Sequence, residues 1–338
     1  MPERIHGGHD RSNVSVLVAG CGSIGRRHIQ NALSLNVGRV FAFDASETQR
    51  KSLRNESDIC VLDNLADALR LSPTAVVVAT PTDQHVAVAL EAARHGCHLL
   101  IEKPVSHSLG DIDRLCAEIE RRGLVSMTAC NMRFHPGPAT VKQLIDVRTI
   151  GRVLAARIHT GSYLPRWRPS QDYRQSYSAS RQWGGAALDC IHEIDLALWY
   201  FGSAELVASA SLPADTIGLQ VDGLTEMILL HHTGVLSSVH LNFVQQDYRR
   251  ACEIIGSLGT IYWDFSLGHV RVVGADGVAT KQFEQPAGWK INQMYVDELD
   301  HFFSCIAEQR STINPVRASL ESLRIALTVR ASMAKRVA

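Results

Sequence analysis

The hexapeptide Gly20-Cys21-Gly22-Ser23-Ile24-Gly25 constrains this chain more than any other feature. It follows a short β-branched run at 13–19 and opens a helical pattern at 23–36. A glycine-rich turn in that setting suits a dinucleotide. Gly20 permits the tight turn, Gly22 lets a pyrophosphate approach the backbone, and Gly25 lets the helix pack on the strand. Cys21, Ser23 and Ile24 complete the turn, and the free amides at the helix start face the phosphates. By itself the pattern is weak, because glycine turns are common. A second strand-like run at 38–44 ends in Asp44, where a carboxylate would accept hydrogen bonds from the adenosine ribose. The competing reading makes Asp44 a cap for the next helix. Its charge would repel a 2′-phosphate, whereas Ser46, Arg50 and Lys51 could receive one. NAD is therefore expected, with NADP as the alternative.

Further strand-like runs lie at 58–62, 74–79, 97–101 and 124–129, with helical patterns at 64–71, 82–95 and 108–122. This alternation predicts a parallel sheet covered on both faces. Such sheets bind ligands at the carboxyl ends of their strands. Thr80, Pro81 and His85 follow the fourth run and are expected to touch the cofactor, and Glu102-Lys103-Pro104 follows the fifth. His85 taken alone reads as a surface helix residue. Glu102 and Lys103 read either as a solvated loop or as a site at the nicotinamide edge.

The rhythm changes after Asn131. A helix is expected at 136–147, a long strand at 152–163, an irregular stretch at 164–182 and a helix at 185–201. Strand-like runs follow at 206–211, 224–231, 235–244, 250–255, 260–264 and 269–273, joined by short turns, so a mainly antiparallel sheet is expected. Helices close the chain near 293–308 and 315–335. The division this implies is a disordered tail at 1–12, a dinucleotide-binding domain at 13–130, a substrate and assembly domain at 131–314, and a C-terminal helix at 315–338. A length of 338 residues also favours two cores.

Lys+Arg and Asp+Glu number 34 each, so no long-range field draws nucleic acid or an anionic membrane. The eight cysteines form no CxxC pair and no zinc-like cluster, so no metal is expected and the thiols read as buried and reduced. No apolar stretch reads as a signal peptide or a bilayer span, and the expected location is cytoplasmic.

The segments GCGSIGRRH, ATPTDQH, EKP and GGAALDCIHEIDLALWYFG together resemble the glucose–fructose oxidoreductase/inositol dehydrogenase/MocA (Gfo/Idh/MocA) family across nearly the whole chain. The resemblance implies an α/β fold: a Rossmann domain followed by an α+β domain with a large open sheet. That sheet commonly forms an oligomer interface, which implies a homodimer or homotetramer. The implied activity is NAD(P)-dependent oxidation or reduction of a sugar or cyclitol carbinol. Lys103 and His192 are implied as the working polar pair. A histidine suits removal of the hydroxyl proton, and an ammonium can hydrogen-bond the developing alkoxide.

The family pattern places an Asp with three residues before the His, whereas two residues separate Asp189 from His192 here. On one continuous helix Asp189, His192 and Glu193 would still share a face, so Asp189 could orient His192 or hold a substrate hydroxyl. Asn131 and Arg133, at the resemblance's hinge into the second domain, are expected to line the cleft, Asn131 on the cofactor side and Arg133 toward substrate. The preceding loop carries Tyr163, Arg166, Trp167, Arg168, Tyr173, Arg174, Tyr177 and Arg181. Of these, Tyr163, Trp167 and Arg168 are the candidate substrate contacts, able to stack on a sugar or grip an anion. A subunit-interface arm would use the same residue types. Two other functions stay open at this point: an enzyme that retains NAD while cleaving a glycosidic bond, and a non-catalytic dinucleotide sensor.

Overall fold

The computed structural model describes residues 10–334 apart from 168 and 170. They fall into two units, one built from the chain up to Ala129 with Asn292–Ala318, the other from Cys130–Ile291 with the residues from Ser319 onward.

The first unit runs β1 (Ser15–Ala19), α1 (Ser23–Ser34), β2 (Arg39–Phe43), α2 (Glu47–Leu53), β3 (Ile59–Val61), α3 (Leu65–Arg70), β4 (Ala75–Val78), α4 (His85–Arg94), β5 (His98–Glu102), α5 (Ile112–Arg121) and β6 (Ser126–Ala129). Its strands pair in parallel in the order β3-β2-β1-β4-β5-β6. Val16–Val18 and Val76–Val78 are fully buried, as strands covered on both faces require. The order reverses between β1 and β4, and the crevice for a ligand opens at the carboxyl ends there. The short polar helix α2 lacks an apolar period, and only the capping reading of Asp44 pointed to a helix there. The disordered tail expected at 1–12 does not extend over Arg11. Residues 1–9 lie outside the described residues, but Arg11 is buried, pairs with Asp300 and stacks over the Phe303 ring at 5.9 Å.

The chain later returns to this unit, so the span expected as one domain at 131–314 is interrupted. Helix α9 is numbered below in chain order, but its start is tied here by an Asn292 to Asn31 hydrogen bond of 2.8 Å. Its exit segment runs along β6, where Thr128 N–H donates to Asn314 O at 2.9 Å and Thr312 Oγ1 donates to Ser126 O at 2.7 Å. The cause is the edge strand, whose buried backbone groups need partners.

The second unit contains α6 (Pro136–Asp146), β7 (Val153–Tyr163), α7 (Ala186–Asp189), α8 (His192–Phe201), β8 (Ala204–Pro213), β9 (Asp222–His231), β10 (Leu236–Asn242), β11 (Val244–Gly256), β12 (Gly259–Asp264), β13 (His269–Gly274) and β14 (Ala279–Glu284). α9 (Asn292–Ala307) belongs to the first unit, and α10 (Leu320–Ala334) completes the second. The sheet order is β14-β13-β12-β11-β7-β10-β9-β8, with β7 and β10 parallel and the other pairs antiparallel. Met227, Leu229, Val239, Leu241, Ile254 and Ile261 are buried on the face that carries α6, α7, α8 and α10. The alternate positions include Arg157, Glu226, Leu230 and Leu236, which are exposed. One helix was expected at 185–201. Two are found, because Cys190 departs from helical geometry at φ −93°, ψ 31°.

Candidate active site

At the crevice edge of the first unit, each glycine of the turn meets a different constraint. Gly20 has φ +94°, and a Cβ there would lie 2.4 Å from Ala79 O. A Cβ on Gly25 would lie 1.8 Å from Gly20 O, while one on Gly22 would meet nothing within 4 Å. Gly22 thus leaves open space beside the start of α1, which has no side-chain cap and no acidic residue in its first turn. Ser23 is exposed and Ile24 half-buried in that turn, and Pro81 is exposed across the crevice. Thr80 Oγ1, after β4, is buried with no hydrogen-bond partner. An open glycine approach, uncapped helix amides and an orphaned hydroxyl all fit a dinucleotide.

Asp44 sits at the end of β2. Its Oδ2 accepts from Cys21 N–H at 2.6 Å and its Oδ1 from Ser46 N–H at 2.7 Å. Ser46, not Asp44, is the N-cap residue of α2, so the simple capping reading does not describe it. Both nearby cations are engaged: Arg50 donates to Asp44 O and Ala45 O at 2.7 and 3.0 Å, and Lys51 pairs with Glu47 at 2.8 Å. Burial, with Asp44 nearby, pushes the Cys21 thiol up to about 12, so this residue serves through its backbone.

Beneath the turn after β5 lies a buried polar network. His28 Nε2 is 2.8 Å from Glu102 Oε1, and Glu102 Oε2 accepts from Lys103 N–H at 3.2 Å. Burial pushes Glu102 up, but the His28 hydrogen bond and the charges of His28, Lys103 and His85 outweigh it and hold the carboxyl below its ordinary value. Both Glu102 carboxylate oxygens are engaged by protein groups. His85 is not a surface residue: it is buried, with Nε2 2.8 Å from Thr80 O and Nδ1 3.0 Å from Pro104 O. His28 was missed in the sequence, although it follows Gly25 by one turn on the inward face of α1 and is buried there.

In the second unit His192 is the buried first residue of α8. Two ion pairs clamp that helix. Glu193, fully buried, meets Arg250 of β11 at 2.7 Å, and Arg250 also reaches Met132 Sδ at 3.2 Å. Burial would lower the Arg250 pKa, but the Glu193 carboxylate raises it well above the ordinary value. Asp195 accepts two hydrogen bonds from Arg133, at 2.9 and 2.7 Å, and the Arg133 guanidinium lies 5.4 Å from the Trp199 ring centroid. Arg133, expected to contact substrate, spends these donors on α8. Asn131 is buried beside it at the start of the 3-10 turn Asn131–Phe134.

The helix break alters the expectation for Asp189. Spacing along one helix no longer relates it to His192. Its carboxylate is instead gripped from the loop, by Tyr177 O–H and Ser178 O–H at 2.6 Å each. Asp222 pins the start of α7 by accepting Ala187 N–H at 2.7 Å. Arg250 and Asp222 had no local signal in the sequence, because their partners lie elsewhere in the chain, and Tyr177 was read only as one of the loop's aromatic residues. Tyr163 is half-buried under Arg166 at 5.2 Å. Trp167 donates to Ser162 Oγ at 2.8 Å, packs edge-on against Phe243, and remains 38% exposed. Arg168 lies outside the described residues.

The family described as "Oxidoreductase family, NAD-binding Rossmann fold" matches residues 14–129, and the "GFO/IDH/MocA C-terminal domain" matches 139–262. The chain is 27% identical over 256 residues to myo-inositol 2-dehydrogenase of Thermotoga maritima, covering 73% of this chain and 74% of that one. It is 30% identical over 253 residues to dTDP-3,4-didehydro-2,6-dideoxy-alpha-D-glucose 3-reductase of Streptomyces violaceoruber, covering 73% and 71%. A solved structure of levoglucosan dehydrogenase with NADH and levoglucosan shares the fold, with a TM-score of 0.84 at 20% identity over 95% of this chain and 97% of that one.

Proposed function

This chain belongs to the Gfo/Idh/MocA oxidoreductase family, and from that premise we propose that it transfers a hydride between NAD and a carbinol or ketone carbon of a sugar, sugar acid, nucleotide sugar or cyclitol. The observation that carries this reading is the position of Lys103. It directly follows β5, on the strand-end edge that also bears the glycine turn and the orphaned Thr80 hydroxyl. NAD, when bound, supplies the hydride acceptor or donor. Gly20–Gly25 would hold its pyrophosphate, Asp44 the adenosine ribose, and Thr80 and Pro81 the crevice side. The engagement of Arg50 and Lys51 elsewhere favours NAD over NADP.

His192 takes the hydroxyl proton of the carbinol, and the Lys103 ammonium hydrogen-bonds the oxygen as negative charge develops on it. The reading requires both to serve one substrate. Asp189, oriented by Tyr177 and Ser178, holds a substrate hydroxyl or orients His192. Glu102, Asn131 and Arg133 act as supports, on the contacts described above. Tyr163, Trp167 and Arg168 are the candidate sugar contacts. The named relatives are a dehydrogenase and a reductase, which favours net hydride transfer over the glycoside-cleaving and sensing alternatives.

We place the protein in the cytoplasm, since all eight cysteines are free and seven are buried. Among the described residues no helix is long and apolar enough to cross a membrane, and no cluster suits a metal ion. The helix-free face of the large sheet exposes Leu212, Leu230 and Leu236, which favours burial against a second copy as a homodimer or homotetramer. Light scattering at micromolar concentration should show that assembly, and a monomer would refute it. A screen of polyols, sugars, sugar acids and nucleotide sugars, read by NADH absorbance, should return at least one substrate oxidised stoichiometrically with NAD. Bond cleavage without net NADH would refute the dehydrogenase reading.

A further inference from the structure

We propose that His85 is a positioning residue that ties the turn after β4 to the turn bearing Lys103, so that the crevice side of the cofactor site and the lysine are set together. This rests on the reading of Lys103 as a catalytic residue. Three observations carry it. The His85 ring is buried, at 2% exposure. Its two nitrogens face main-chain carbonyls of two different turns, Thr80 O at 2.8 Å and Pro104 O at 3.0 Å. Those turns leave neighbouring paired strands, Val78 of β4 standing beside Ile101 of β5.

A carbonyl oxygen only accepts, so each of these hydrogen bonds needs an N–H on the ring. A neutral imidazole has one N–H and can hold one turn. Only the cation holds both. Glu102, at the end of β5, and Asp83, in the 3-10 turn Thr82–Gln84, favour the cation, as do the two carbonyls, while burial opposes it and prevails in lowering the pKa. The Glu102 carboxylate is itself shared with His28 of α1. The ring is therefore a two-position latch. Protonated, it joins the turns; neutral, it releases one carbonyl, and the Lys103 turn loses its tie to Thr80.

The test uses the full chain without cofactor or substrate first. Hydrogen exchange is followed in the 103–107 segment of wild type, His85→Phe and His85→Gln. Phenylalanine keeps the ring shape and removes both nitrogens; glutamine keeps one donor. Below the ring's titration the segment should exchange about tenfold faster in His85→Phe, the scale of one lost hydrogen bond, with His85→Gln between. In wild type its protection should fall as pH rises through the ring's titration, followed by ¹⁵N-histidine NMR, and in His85→Phe that dependence should vanish. With the substrate returned by the absorbance screen, and assayed at a pH below the ring's titration, His85→Phe should lower kcat about 10–100-fold, the effect of a small misplacement. The primary deuterium isotope effect should rise and KM change little.

Unchanged exchange at 103–107 in both variants, or no pH-dependent protection in wild type, overturns the latch. So does a loss of turnover that merely follows the loss of folded protein. Lys103→Met separates this from the parent reading. If Lys103→Met keeps wild-type turnover, the catalytic assignment and the coupling built on it fail together. If Lys103→Met is inactive while His85→Phe is wild type, only the coupling fails.

Discussion

The two units hold their working residues by different physics. In the first, Lys103 stands on a turn set by hydrogen bonds that helices α1 and α4 make to the ends of β4 and β5: His28 to Glu102, Glu102 to Lys103 N–H, and His85 to Thr80 and Pro104. In the second, His192 opens a helix clamped by charge, Glu193 on Arg250 and Asp195 on Arg133, pairs separated by 57 and 62 residues in sequence. The hydrogen bonds to main-chain groups each contribute modestly and can be lost singly. A buried ion pair behaves otherwise, because removing one partner strands the other charge in a dry interior. Damage to the second unit should therefore appear as instability, and damage to the first as misplacement.

The largest effect expected is catalytic. His192→Ala should lower turnover by about 10²–10⁴, the usual share of general acid–base catalysis, and leave NAD affinity nearly unchanged. Steady-state kinetics and fluorescence titration with NAD check both parts. Wild-type turnover would remove His192 from proton transfer.

The clamp tests the contrast directly. Arg250→Met should cost about 3–5 kcal/mol in the stability of the second unit, since Glu193 would be left buried and alone. Adding Glu193→Leu should recover most of that loss. A double variant no better than the single one, in thermal unfolding, would show that the pair is not held by charge.

A pH effect belongs to the same unit. Burial raises Asp222 from 3.8 to about 6, against the Ala187 hydrogen bond and Arg330. A carboxyl raised in the folded state contributes most below its unfolded value and loses that contribution as pH rises through about 6. Asp222→Asn does not titrate. Its stability relative to wild type should therefore improve by about 2 kcal/mol between pH 4 and pH 7. A gap that does not change with pH would contradict the raised value.

The smallest expected effect returns to the first unit. Asp44→Ala should weaken NAD binding by about 1.5–3 kcal/mol, the worth of a charge-assisted hydrogen bond, and narrow the preference over NADP. Equal NAD affinity in the variant would take Asp44 out of the ribose site.

The first unit was largely legible in the sequence. A glycine turn, β-branched strands and intervening helices are short-range patterns, and they also pointed to Lys103 and the carboxyl-end edge. The resemblance supplied His192, which no period or spacing would have singled out. Misreadings occurred where a residue's partner lies far along the chain. His85 looked like surface until two carbonyls were found against its ring. Arg133, expected to line the cleft toward substrate, pairs with Asp195, 62 residues away. The helix at 185–201 broke at Cys190, with Tyr177 and Ser178 holding Asp189 on one side and the ion pairs holding α8 on the other. The return of 292–318 to the first unit had no local sign, because the need it meets belongs to β6.

By itself the sequence determined the parallel sheet, the dinucleotide turn and the order of the elements, since backbone propensity and apolar period act over a few residues. Only the tertiary structure decided which buried charges pair, which carbonyls a histidine meets and where a helix must stop. Those choices follow from desolvation: a polar group taken out of water must be satisfied by whatever the fold brings to it, however distant in sequence.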